Sequence, residues 1–129
     1  MKLEYIMTDI QELSFRKNLK ENTRLDIQTK YNYSVFYTDD GSRCIGVLSV
    51  ELSPPGDEDK LLVRYRSSSV FALKDAVLND AVKKELHAET YNWIFPLCHS
   101  HIKNFLATVG LPDIPIKPIN CSSSDIELR

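Results

Sequence analysis

Apolar and polar residues alternate along most of the first 73 positions, then recur every three or four positions over the next 37. A period of two followed by a period near 3.6 predicts strands first and helix afterwards, an α+β order rather than alternating βαβ units. The clearest strand spans Leu25 to Tyr37, where Leu25, Ile27, Tyr31, Tyr33, Val35 and Tyr37 hold one parity and polar residues the other. That is the pattern of an antiparallel strand with one buried face. Asp39-Asp40-Gly41-Ser42 then supplies a turn, and Cys44 to Leu52 a second strand rich in Val, Ile and Leu, so the two form a hairpin. Ser53-Pro54-Pro55-Gly56-Asp57-Glu58-Asp59 ends that strand, because neither proline can donate to a ladder, and Leu61 to Arg66 reads as a third. A fourth lies around Leu3 to Phe15, with imperfect alternation of Ile6, Ile10, Leu13 and Phe15.

Residues 75–91 are good helix formers without Gly or Pro and predict a short helix. The most regular stripe follows: Ile94, Leu97, Cys98, His101, Ile102, Phe105, Leu106 and Val109 keep helical spacing over four turns, predicting a second, longer helix with one buried face. Pro96 fits its start and Gly110 its end, where a left-handed cap is usual. Pro112, Pro115 and Pro118 then forbid both helix and ladder, leaving an extended segment to Asn120 with Ile114, Ile116 and Ile119 against an apolar surface. The expected organisation is one domain over residues 1–120 and a Ser-rich, mildly acidic tail over 121–129 that frays.

Composition narrows the function. A chain of 129 residues with 43% apolar residues can bury a core without disulfides or a structural metal. Its 16 Lys and Arg are spread evenly among 18 Asp and Glu, so no basic stripe points to nucleic acid. No apolar run is long enough to span a membrane, and Met1 to Tyr5 has no signal-peptide core. Three widely spaced cysteines, Cys44, Cys98 and Cys121, suit a reducing compartment, and a cytoplasmic location is expected.

Catalytic chemistry finds little support. His99 and His101 point about 200° apart on a helix and cannot share a metal ion. Cys98 and His101 could touch, yet both belong to the stripe that packs on the sheet, so core packing is the better reading for each. Ser67-Ser68-Ser69 lacks the glycines of a phosphate loop, and Asp57-Glu58-Asp59 lacks calcium-loop spacing; both read as solvated turns. No enzyme, cofactor or metal site is expected. The unusual feature is the aromatic inventory: Tyr31, Tyr33, Tyr37 and Tyr65 on strands, Phe71 at the passage to helix, and Tyr91, Trp93 and Phe95 before the long stripe. Most such rings are core. A sheet whose strands are apolar on both parities, as at Cys44–Leu52 and around Leu62, needs more cover than two helices give, which predicts oligomerisation.

The last third of the chain carries a resemblance. Tyr91-Asn92-Trp93-Ile94-Phe95-Pro96-Leu97-Cys98-His99-Ser100-His101-Ile102, then Val109-Gly110-Leu111-Pro112 and Ile114-Pro115-Ile116-Lys117-Pro118-Ile119-Asn120, resembles the SecB export-chaperone family. Asp9-Ile10-Gln11-Glu12-Leu13-Ser14-Phe15 is similar to that family's first strand, and Ser69-Val70-Phe71-Ala72-Leu73 stands where the family has Gly-Ile-Phe-Ser-(Ile or Leu). The resemblance implies a four-stranded antiparallel sheet with a short and a long C-terminal helix, assembled as a dimer of dimers. It also implies apolar grooves between sheet and helices that hold unfolded polypeptide without ATP. By position in the matched elements, Tyr31, Tyr33, Val47, Tyr65, Phe71 and Trp93 are the candidate groove walls. In that family a strongly acidic strand surface docks the translocation motor ATPase. Here Arg16 and Arg64 stand where two of its carboxylates would be, while Glu12 and Leu62 keep the family's character, and the reversed charges oppose docking of the motor. Two functions follow: a holdase for unfolded clients, possible in export, or an oligomeric adaptor or ligand-binding module serving a specific partner such as a toxin–antitoxin pair.

Overall fold

The computed structural model describes residues 2–17, 28–53, 61–75 and 77–110, with the backbone alone at Lys17, Leu61 and Leu62. Strands β1 (Lys2–Lys17), β2 (Gln28–Tyr37), β3 (Arg43–Ser53) and β4 (Leu61–Lys74) form one antiparallel sheet in the order β1-β4-β3-β2, and helix α1 (Asp80–Thr108) packs on one of its faces. This is the expected α+β sheet-then-helix architecture. The expected first residues of β2, Leu25 to Ile27, the turn at 54–60, the proline-rich segment 111–120, the domain boundary at 120 and the tail 121–129 with Cys121 lie outside the described residues.

Alternation sets the faces. Along β3, Cys44, Gly46, Leu48, Val50 and Leu52 are buried and Ile45, Val47, Ser49 and Glu51 only partly so, which makes the first set the inner, helix-covered face. β1 obeys the same rule in three pieces. Leu3 and Tyr5 lie opposite inner residues of β4, a bulge at Ile6 inverts the parity so that Thr8 and Ile10 do, and a second bulge at Gln11 restores it for Leu13 and Phe15. The irregular alternation in the sequence of this strand is the record of those two extra residues.

Three expectations need correction. Ser67 and Ser69 are not in a solvated turn: β4 runs through them to Lys74, and both are fully buried under α1. Small side chains let the helix approach there, and their hydroxyls are satisfied, Ser67 Oγ lying 3.4 Å from Cys98 Sγ and Ser69 Oγ 2.8 Å from Thr8 Oγ1. Phe71 accordingly lies inside β4 rather than at the passage to helix. The short and long helices are one 29-residue helix, with Pro96 in its interior. Leu86, Thr90, Ile94, Cys98, Ile102 and Leu106, each at most 1% exposed, form an unbroken i+4 ladder on the sheet. Pro96 and Asn92, whose carbonyl would have accepted the missing N–H, are both on the exposed side, where water is available and the cost of interrupting the helix is least.

The ends follow the expected chemistry. Asn79 caps α1 by accepting from the Val82 N–H at 2.9 Å, and Gly110, with φ +84°, receives the chain beyond the last turn. Gly41 takes φ +70° in the β2–β3 turn, where Asp40 accepts from the Ser42 N–H and from the Ser42 and Thr38 hydroxyls.

Gly46 has a different task. A methyl group there would fall on the Tyr33 hydroxyl and press on its ring, so the bare backbone is the bed on which Tyr33 lies. Gly46→Ala is expected to push Tyr33 off the sheet and lower stability by about 1–3 kcal/mol, through overpacking and the loss of its hydrogen bond. Urea unfolding should show the reduced midpoint, and adding Tyr33→Ala should cost less than the two single changes combined.

Candidate functional site

The helix meets the two edges of the sheet through aromatic rings. On the β2 side, Tyr33 sits edge-on to His87 at 4.9 Å and to Tyr91 at 5.3 Å, and Tyr31 tilts against Phe95 at 5.6 Å. Lys83 Nζ stands 5.3 Å from the centre of the Tyr37 ring, a cation–π arrangement. His87, Tyr91, Phe95 and His99 are spaced by four, so one edge of α1 faces one edge of the sheet along this seam. Thr90 anchors it: its hydroxyl donates to the Leu86 carbonyl at 2.6 Å and accepts from the Tyr33 hydroxyl at 2.6 Å. Burial pushes the Tyr33 phenol up and the Tyr37 phenol to about 12, so both stay neutral.

On the β1 side the seam is more open. Trp93, 49% exposed, stacks on Tyr5 at 4.2 Å with 24° between the rings and stands perpendicular to Phe71 at 6.0 Å. Tyr5 in turn touches Phe71 edge-on at 5.7 Å and donates to Thr8 Oγ1 at 2.7 Å. Farther along, Phe15 meets Phe105 at 6.2 Å. The result is an uncharged shelf with a half-exposed indole as its lip and a buried phenyl ring beneath.

Between the seams lies a closed polar cluster. Tyr65 donates to Cys98 Sγ at 3.2 Å, and its oxygen lies 3.0 Å from His101 Nδ1, which satisfies both groups when His101 carries its proton on Nδ1. Cys98 is fully buried and its thiol is pushed up by desolvation, the opposite of what an attacking thiolate needs. Among the described residues no three His, Cys, Asp or Glu side chains are arranged to hold a metal ion, and no helix is long and apolar enough to cross a membrane.

The six candidate wall residues are therefore not in one place. Trp93 and Phe71 touch in the β1 seam, Tyr31 and Tyr33 belong to the β2 seam, and Tyr65 is 1% exposed in the centre. Val47 has the parity of the opposite, outer face of the sheet. Glu12 and Arg64 also belong to that outer face and line one shallow depression of about 340 Å³ with Lys30 and Arg66. Arg16 and Leu62 pair in register one row beyond, the Leu62 side chain lying outside the described residues. Sequence reasoning missed Tyr5 and His87 as seam residues. The i+4 run of rings and imidazoles from His87 to His99 was the readable signal for the second.

His87 links the β2 seam to pH. Burial holds its pKa below the ordinary 6.5, so the unfolded chain takes up a proton first as pH falls, and the stability this group contributes is present above pH 6.5 and lost below it. Replacing His87 with Asn should shrink the drop in melting temperature between about pH 7 and pH 5, read by thermal unfolding of both proteins.

No family model and no curated protein matches the chain. Among solved structures it is similar to the Mycobacterium tuberculosis Rv1957 SecB-like chaperone, solved in complex with a ChAD peptide from the Rv1956 HigA1 antitoxin. The TM-score is 0.72 at 10% sequence identity, covering 91% of this chain and 90% of that one. At that identity the likeness shows the fold: this chain has the SecB-like arrangement of a four-stranded antiparallel sheet and a long C-terminal helix.

Proposed function

We propose that the protein is an ATP-independent, chaperone-like holder of unfolded or partly folded polypeptide, with client segments lying along the aromatic seams between α1 and the sheet edges. The observation that carries this reading is the β1 shelf. A half-exposed Trp93 stacked on Tyr5 above Phe71 offers a large uncharged surface, and nothing in it selects one side chain over another. Neighbouring β1 is an edge strand whose backbone can receive an extended chain. Tyr31 and Tyr33 would serve as the corresponding wall of the β2 seam. Phe71 acts from beneath, holding the Tyr5 and Trp93 rings that touch the client, while Tyr65 fixes the helix through Cys98 and His101.

A second reading, an adaptor for one peptide, is favoured by the structural neighbour, which was solved with a single antitoxin peptide. The two differ in breadth of binding. Docking to the export motor is not included, because Arg16 and Arg64 carry the opposite charge from that family's acidic surface.

Aggregation of several chemically unfolded test proteins should be suppressed at near-stoichiometric amounts, and Trp93→Ala should raise the amount needed at least about threefold. Trp93 is the sole tryptophan, so its emission should shift to the blue as a client covers it. Suppression of none of several clients would sink the chaperone reading, and tight binding of one peptide alone would establish the adaptor.

The proposed assembly is a dimer of dimers, which would set seams of neighbouring subunits side by side. Light scattering at micromolar concentration should return about four times the 14.8 kDa chain mass, and a monomer would contradict it.

A further inference from the structure

The outer face of the sheet has an order that the client reading leaves unused. Strand register aligns its side chains in rows across all four strands. Phe36, Ile45, Val70 and Met7 form one wholly apolar row, reinforced by the bulged Ile6, and Phe36, Met7 and Ile6 are 57%, 52% and 43% exposed. The next row toward the other end is small, with Ser34, Val47, Ser68 and Asp9. Two charged rows follow, Asn32, Ser49, Arg66 and Glu12, then Lys30, Glu51, Arg64 and Ser14. The depression of about 340 Å³ lies in these last two. The face thus runs from an apolar ridge across a row of mostly small side chains to a charged bank that holds the depression.

The bank is cationic although the chain is not. Lys30, Arg64 and Arg66 stand in its two rows against Glu12 and Glu51, an excess of one positive charge on a chain whose formal charge is −2, and Arg16 adds another one row beyond. The contact of Arg64 with Glu51 is long, 3.9 Å, and half exposed, so it leaves the guanidinium available to a better partner. Rows on one face are spaced by two residues, which places Arg66 about 13 Å from Val70 along the strand.

We propose that this outer face docks an acidic polypeptide segment bearing a hydrophobic anchor about four extended residues from its carboxylates. The anchor lies on the Phe36–Ile45–Val70–Met7 ridge and the carboxylates on Arg64 and Arg66, whose forked guanidinium groups match them. A second copy of the chain would bring cations against cations, and a nucleic-acid strand has no apolar side chain to lay on the ridge. The site is independent of the aromatic seams, which open on the other face.

The test uses a fluorescein-labelled synthetic peptide with a Glu/Asp block and a Leu-Phe anchor, read by anisotropy on the full chain. Binding should weaken at least about tenfold with Arg64→Glu/Arg66→Glu, with Lys in place of the acidic block, or on moving from about 0.05 to 0.5 M salt. Phe36→Ser should cost about threefold, and so should the charge-neutral pair Arg64→Gln/Arg66→Gln, which covers the case of a misfolded reversal variant. Trp93→Ala should leave peptide binding unchanged, and the Arg variants should leave aggregation suppression unchanged, so the two sites fail separately. Equal binding of the basic peptide or of an oligonucleotide of the same length would overturn the proposal. So would unaltered affinity in both Arg variants, or a changed assembly mass with peptide binding intact.

Discussion

One helix has to cover a sheet that is wider than itself. The edge strands of a four-stranded sheet are about 14 Å apart, and a helix with its side chains is about 10 Å across. A single α1 can bury the central strands β3 and β4 and can reach the edges only through long, flat side chains. Rings solve this on both sides: Tyr31 and Tyr33 lean in from β2 to His87, Tyr91 and Phe95, Tyr37 meets Lys83, and Tyr5 and Phe15 lean in from β1 to Trp93 and Phe105. The central floor is kept low by Ser67 and Ser69 so that the helix can settle close to it, and by Gly46 so that the Tyr33 ring can lie across it. The exposed apolar surface at the seams is therefore a consequence of the geometry of the fold. Whatever binds there uses rings whose first role is to close the gap.

The same geometry explains what was legible in the sequence. β2 alternates cleanly, and the hairpin turn at Asp39–Ser42 carries its faces across to β3. β1 does not, because two bulges each add a residue, and parity cannot be followed through a bulge without the partner strand. Ser67 to Ser69 were read as a turn on residue type alone, whereas Val63, Tyr65, Phe71 and Leu73 continue one parity straight through them. Pro96 suggested a helix start, and only the i+4 ladder from Leu86 to Leu106 shows that the helix passes it. The groove candidates came from a family likeness, which assigns positions but not exposure. Val47 was readable as an outer-face residue from its own strand, while the burial of Tyr65 depends on Cys98 and His101 meeting it from α1.

β4 carries both sides of the molecule at once. Val63, Tyr65, Ser67, Ser69 and Phe71 face the helix, and Arg64, Arg66, Ser68 and Val70 alternate with them on the outer face. A slip of one residue in its pairing would place two guanidinium groups under α1 and the Tyr65 ring in solvent. Pairing with β1 on one side and β3 on the other holds this register, and the two bulges let a long edge strand follow β4 without losing its own inner residues. The charged bank and the aromatic seams thus share a backbone yet differ in chemistry. The seams offer rings without fixed charge and discriminate little. The outer face offers cations and an apolar ridge at a set spacing, a combination suited to one kind of partner. On the proposed reading, one face would hold varied chains and the other would answer to a specific one.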